Sequence, residues 1–134
     1  MSFRHPLRVR FHECDPQGIV FNANFLAYAD IAITELYREA FGSWQAAMEQ
    51  GGIDMVVAEA NVRYLAPVHF DEEVELVVTV TRIGTTATTT LIAVERESTP
   101  VAEVTLRHVV VGIETRTKAP IPEGLRAGLE RYAA

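Results

Sequence analysis

The chain reads as an α+β domain in which one antiparallel sheet curls around a single long apolar helix. Three observations predict this class. A period-two segment near the N-terminus is followed by one long stretch of helical period, and then by four strand-like segments. Those segments are joined largely by tight, breaker-rich turns, which favours antiparallel neighbours. The helix is apolar on nearly every side, so other elements must wrap around it.

Each element has its own signal. Leu7, Val9 and Phe11 alternate with Arg8, Arg10 and His12, the period of a half-buried first strand, and Pro16 and Gly18 then break it. From about Ala23 to Phe41 the pattern is helical, with Asn22 or Asn24 placed to cap its start and Gly42 to stop it. Ser43 to Gln50 predicts a short helix ending at Gly51-Gly52. Strand segments follow over Met55 to Leu65, Glu73 to Ile83, Thr85 to Glu97 and Val101 to Ile113. In the second of these, Val74, Leu76, Val78 and Val80 mark one drier face. Gly84 and Ser98-Thr99-Pro100 supply hairpin turns, and Pro122 opens a short closing helix. The outer face of such a sheet still needs cover, which predicts a homo-oligomer, expected as a tetramer built from dimers.

Residues 1–134 fit one domain, large enough to bury a core without disulfides or metal. Eighteen acidic residues against twelve Lys and Arg give a net charge of −6, which argues against broad binding of nucleic acid or an anionic membrane. No window approaches the ~20 apolar residues of a membrane helix. The lone Cys14 forms no internal disulfide and suits a reducing compartment, so a soluble, cytoplasmic protein is expected.

The segment ECDPQGIVFNANF carries the chemistry. Asp15 beside Pro16 and Gly18 has two readings: a carboxylate that closes a turn, or one aimed at a substrate. The second needs a partner, and the helix start supplies one. Unpaired N–H groups and the positive end of the helix dipole polarise a carbonyl oxygen, while Gly18 allows close backbone approach. A carboxylate facing a helix N-terminus suits acyl transfer.

Rivals carry less. His12, Glu13, Cys14 and Asp15 have metal-ligand atom types, but their spacing matches no metal motif and a lone Cys is usually small apolar filling, so no metal is expected. Glu35 reads as a solvated helix-edge residue, whereas Asp30 sits between Ala29 and Ile31 in an apolar run and is expensive to bury unused. Asn61 and Arg63 fit a polar strand face, and His5, His69 and His108 read as surface or structural. No nucleophile elbow, P-loop or dinucleotide-binding glycine motif occurs.

The stretch RVRFHECDPQGIVFNANFLAYADIA resembles the signature of hotdog-fold acyl-CoA thioesterases of the 4-hydroxybenzoyl-CoA thioesterase type. The likeness continues through ANVRYLAPVHFDEEVELVVTVTRIG and VVVGIETRTKAPIPEGLR. It implies the hotdog fold and hydrolysis of an acyl-CoA thioester, aryl or short to medium acyl, to a carboxylic acid and CoA. Coenzyme A enters as part of the substrate and no other cofactor is implied. Asp15 takes the position of the nucleophile or general base, and the backbone N–H of Asn22 that of the carbonyl donor. Gly18 and Asn24 complete the motif beside the substrate, and Asp30 falls where an acidic residue meets the far end of the acyl group. Arg82 is the one cation in the turn TRIGTTAT, where the resemblance implies contacts to CoA phosphates; an acyl carrier protein is the other carrier considered. Two further readings stay open: a hotdog module that binds acyl-CoA without turnover, and a hydroxyacyl-thioester dehydratase.

Overall fold

A computed structural model describes residues 1–134. Strand β1 (Phe3–Arg8) is followed by a single 3-10 turn (Phe11–Glu13), helix α1 (Asn24–Phe41) and helix α2 (Trp44–Gly51). Strands β2 (Ile53–Tyr64), β3 (Glu73–Ile83), β4 (Ala87–Arg96) and β5 (Thr99–Gly112) come next, and α3 (Glu123–Glu130) closes the chain. The strands form one antiparallel sheet in the order β1-β3-β4-β5-β2, with Leu76 and Val94, for example, opposite one another. No helix is long and apolar enough to cross a membrane.

The expected α+β class holds: five strands pack one face on α1, whose 18 residues span about 27 Å. Phe25, Tyr28, Ala29, Ala32, Ile33, Leu36 and Tyr37 fall at the i, i+3, i+4 spacing of one stripe, and all are buried. The opposite stripe is open, contrary to the expectation of burial on nearly every side: Leu26 is 41% exposed, and Asp30 and Thr34 also face outward. An open five-stranded sheet covers only one side of a helix.

Three boundaries depart from the periodicity. The first strand stops at Arg8, because the Glu13 carboxylate accepts the Arg10 N–H at 2.7 Å and closes the 3-10 turn. Val9 stays buried, but Phe11 is swung outward and is 78% exposed. The β4–β5 turn is Glu97-Ser98, both at positive φ, and Thr99 and Pro100 already belong to β5. The β2–β3 connection is no tight turn: the two strands are three places apart, so residues 65–72 cross from the sheet edge to its other side. That crossover passes over the N-terminal loop. Val68 is buried and its carbonyl accepts the Val20 N–H at 2.8 Å, while Phe70 N–H donates to the Gly18 carbonyl at 3.1 Å.

The helix ends follow the sequence at one side only. Gly42 stops α1 at φ +90°, and its N–H donates to the Arg38 carbonyl. At the start, neither Asn22 nor Asn24 caps with its side chain; Ala23 is the cap residue. Ser43 caps α2, its Oγ accepting the Ala46 N–H at 2.9 Å, and Gly52 ends it in the left-handed region.

Candidate active site

Asp15 stands at the mouth of a tight loop. Its N–H donates to the Ile19 carbonyl at 2.8 Å and its own carbonyl accepts the Gly18 N–H at 2.9 Å. Gly18 lies at φ +80°, which a side chain would strain. One carboxylate oxygen, Oδ1, accepts the Gln17 N–H at 2.8 Å, so the turn role is present. The side chain is half-buried and the residue also lines a cleft.

That cleft has a volume of about 470 Å³. Ile19, Val20, Phe25, Leu65 and Val68 give it apolar walls, and Asp15, Gln17, Asn22 and Tyr64 bring polar atoms. The crossover supplies one wall and the start of α1 the other. At that start the N–H groups of Asn22 and Ala23 donate to no protein acceptor, whereas Asn24 N–H is taken by the Phe21 carbonyl at 2.9 Å. Of these two free donors at the positive end of a helix, Asn22 lines the cleft together with the Asp15 carboxylate, and Ala23 does not. Tyr64 closes the far side: its hydroxyl donates to the Asn22 carbonyl at 3.0 Å and its ring meets Phe25 edge to face.

The neighbours of Asp15 are arranged differently from their order in sequence. Burial, then the charges of Glu13 and Asp15, push the Cys14 thiol pKa up, so the thiolate that nucleophilic chemistry needs is disfavoured. His12 is exposed on the 3-10 turn. Glu13 turns inward and accepts from the Tyr28 hydroxyl at 2.9 Å. Burial first, and this bond second, hold the Tyr28 phenol far above its ordinary range.

Among the sequence-derived candidates, Asp15 and Asn22 line the cleft together. Gly18 shapes the Asp15 loop from behind. Asn24 is turned away: its amide donates to the Glu13 carbonyl at 2.8 Å. Asp30 lies eight residues past Asn22, about 12 Å along α1, and is exposed on the open stripe, not buried in an apolar run. Arg82 is remote. It lies nine residues up β3 from Glu73, about 30 Å away, in a small polar recess of about 180 Å³ with Thr85, Thr86, Thr89 and Arg107.

Sequence reasoning weighed Glu13 only as a metal-ligand type, and passed over Tyr64 and Arg107. Glu13 is two residues from Asp15, but nothing local signals its bond to Tyr28, fifteen residues on. Tyr64 ends a strand whose register was needed to bring it to Asn22. Arg107 reaches the Arg82 recess because β4 pairs with both β3 and β5: Thr89 is opposite Arg82 on one side and Arg107 on the other.

The element order and the helix packed on one curled sheet are those of the hotdog thioesterase fold. The chain belongs to the thioesterase-like superfamily, whose family model matches residues 9–129. It is 33% identical to the acyl-CoA thioester hydrolase YbgC of Escherichia coli over 110 residues, 81% of either chain. To the 1,4-dihydroxy-2-naphthoyl-CoA hydrolase of Nostoc punctiforme it is 24% identical over 130 residues, 97% of this chain and 88% of that one. The solved structure of a hypothetical protein from Aquifex aeolicus matches with a TM-score of 0.87 at 26% identity, covering 95% of this chain and 98% of that one.

Proposed function

We propose that this protein hydrolyses acyl-CoA thioesters to a carboxylic acid and free CoA. One observation carries the reading: the Asp15 carboxylate and the free Asn22 N–H line a single apolar-walled cleft at the start of α1. The thioester carbonyl would accept from Asn22 N–H, where the helix dipole favours the oxyanion that develops. Asp15 would either deprotonate the water that attacks the carbonyl carbon, returning that proton to the thiolate as the C–S bond breaks, or attack the carbon itself and expel the thiolate. The second route forms a mixed anhydride that water then cleaves to the carboxylic acid and free Asp15, with the water proton going to CoA. The YbgC and dihydroxynaphthoyl-CoA relatives support a CoA thioester as the substrate class.

The remaining candidates take supporting roles in this proposal. Gly18 keeps the loop tight beside the thioester, and Asn24 fixes the helix start against that loop. The open stripe of α1 carries Leu26 and Asp30, and offers an apolar track with one carboxylate at the far end of the acyl group. A homo-oligomer completes that track. β2 is a sheet edge of 12 residues exposing Val56 and Val57, a surface that edge pairing with a second copy would cover. Arg82 and Arg107 line a recess that shares no residue with the Asp15 cleft, and would hold CoA phosphates across such an assembly.

The test is thiol release from a panel of aryl and aliphatic acyl-CoA esters. Wild-type protein should turn over at least one class, and Asp15→Asn should lose about 10²–10⁴-fold in kcat while staying folded. The amide keeps an oxygen for the Gln17 N–H, so the loop itself is preserved. Undiminished hydrolysis by Asp15→Asn would exclude Asp15 as the reactive group. Binding of CoA esters without any thiol release would instead indicate a binding module.

A further inference from the structure

The carboxylate and the helix N–H groups sit on separate pieces of chain, and the bonds inside the Asp15 loop fix its shape but not its distance from α1. Glu13 supplies that link from both of its acceptor groups. Its main-chain carbonyl accepts from Phe21 N–H at 3.0 Å and from the Asn24 amide at 2.8 Å. Its carboxylate accepts from the Tyr28 hydroxyl at 2.9 Å and from Arg10 N–H at 2.7 Å, with the Arg10 guanidinium 3.9 Å away.

We propose that Glu13 is a positioning residue for the hydrolysis, clamping the Asp15 loop to the first two turns of α1 and so setting the gap between carboxylate and carbonyl donor. The inference rests on the hydrolase reading above. Its anchor is rigid: Tyr28 is 1% exposed and is held edge to face by Phe25, itself a wall of the cleft. The Glu13 side chain is only 12% exposed, and a carboxylate is costly to keep there without such partners. The raised phenol pKa keeps the proton on Tyr28, so the bond has one direction at all ordinary pH values. The loop is also held from its other side, through Val20 N–H to the Val68 carbonyl and Phe70 N–H to the Gly18 carbonyl. Loss of the Glu13 carboxylate therefore leaves the loop folded and joined to the start of α1 through the Glu13 carbonyl alone, so that it can shift relative to the Tyr28 turn.

Displacement of a reacting group by an ångström costs about 100-fold in rate. Glu13→Ala should lower kcat by about that factor, with KM little changed, because substrate contacts remain. Glu13→Gln retains an acceptor oxygen and should recover most of the loss. The decisive arm is the Asp15→Asn background, where Glu13→Ala should add no further loss, since Glu13 acts only through Asp15. If Glu13→Ala does not fold, Tyr28→Phe, which removes only the hydroxyl, carries the test: lower kcat at constant KM supports the clamp, and unchanged kcat overturns it. Wild-type kcat in Glu13→Ala, with Asp15→Asn inactive, overturns this inference alone. No thiol release from the wild-type protein across the panel overturns the hydrolase reading and this inference with it.

Discussion

The sharpest perturbation of the site is the removal of one hydrogen atom, through Asn22→Pro. Phe21 to Asn24 form a β-turn, closed by Asn24 N–H to the Phe21 carbonyl at 2.9 Å, and Ala23 at φ −66°, ψ −22° follows in its third place. Asn22 is then the second residue of the turn, where proline is favoured, and its N–H donates to nothing in the fold. The substitution should leave stability unchanged or raise it by about 0.4–1 kcal/mol, through a stiffer unfolded chain. If Asn22 N–H is the carbonyl donor, kcat should fall by about 10²–10³-fold, or roughly 2.7–4 kcal/mol of transition-state stabilisation. Asn22→Ala is the control, because it keeps the N–H and loses only the side-chain amide. Thiol release gives kcat for both, and urea midpoints establish that both are folded. Equal kcat in Asn22→Pro and Asn22→Ala would refute the assignment of the donor to Asn22, and the free N–H of Ala23 would be next in line.

Much of the fold was legible because the governing signals are local or periodic. The Val74 to Val80 alternation gives the inward face of β3, and Gly42 ends α1 where its φ of +90° shows why glycine stands there. What escaped was set by bonds between side chains and distant backbone. Phe11 has the right spacing to be buried, but the Glu13 carboxylate captures Arg10 N–H and turns the chain before the alternation reaches it. Asn24 has the right type for a cap, yet its amide finds the Glu13 carbonyl, eleven residues back, instead. At Asp15 the two local readings are not exclusive. One oxygen closes the Gln17 turn, while the residue still lines the cleft, so the turn bond does not remove Asp15 from it. Strand order hid the rest: Arg82 and Arg107 share a recess only because β4 lies between β3 and β5.

Two further outcomes follow from the open edge and the buried histidine. Val57 is 51% exposed on β2, so under the proposed edge pairing Val57→Lys should give smaller species than the wild type in sedimentation equilibrium; equal masses for the two would refute that pairing. His108 lies 5% exposed opposite Thr88 and Val57, its ring tilted against Trp44 at 6.3 Å. Burial lowers its pKa below the ordinary 6.5, and the nearby Asp30 charge offsets this only in part. The unfolded chain then binds the His108 proton more readily than the folded one. The contribution to stability is accordingly complete above about pH 6.5 and is lost as the pH falls below it. Urea unfolding at pH 7.5 and 5.5 should show the wild type weakening on acidification, and His108→Gln should weaken less over the same interval. An equal pH slope in the two proteins would mean that His108 takes up its proton as easily folded as unfolded.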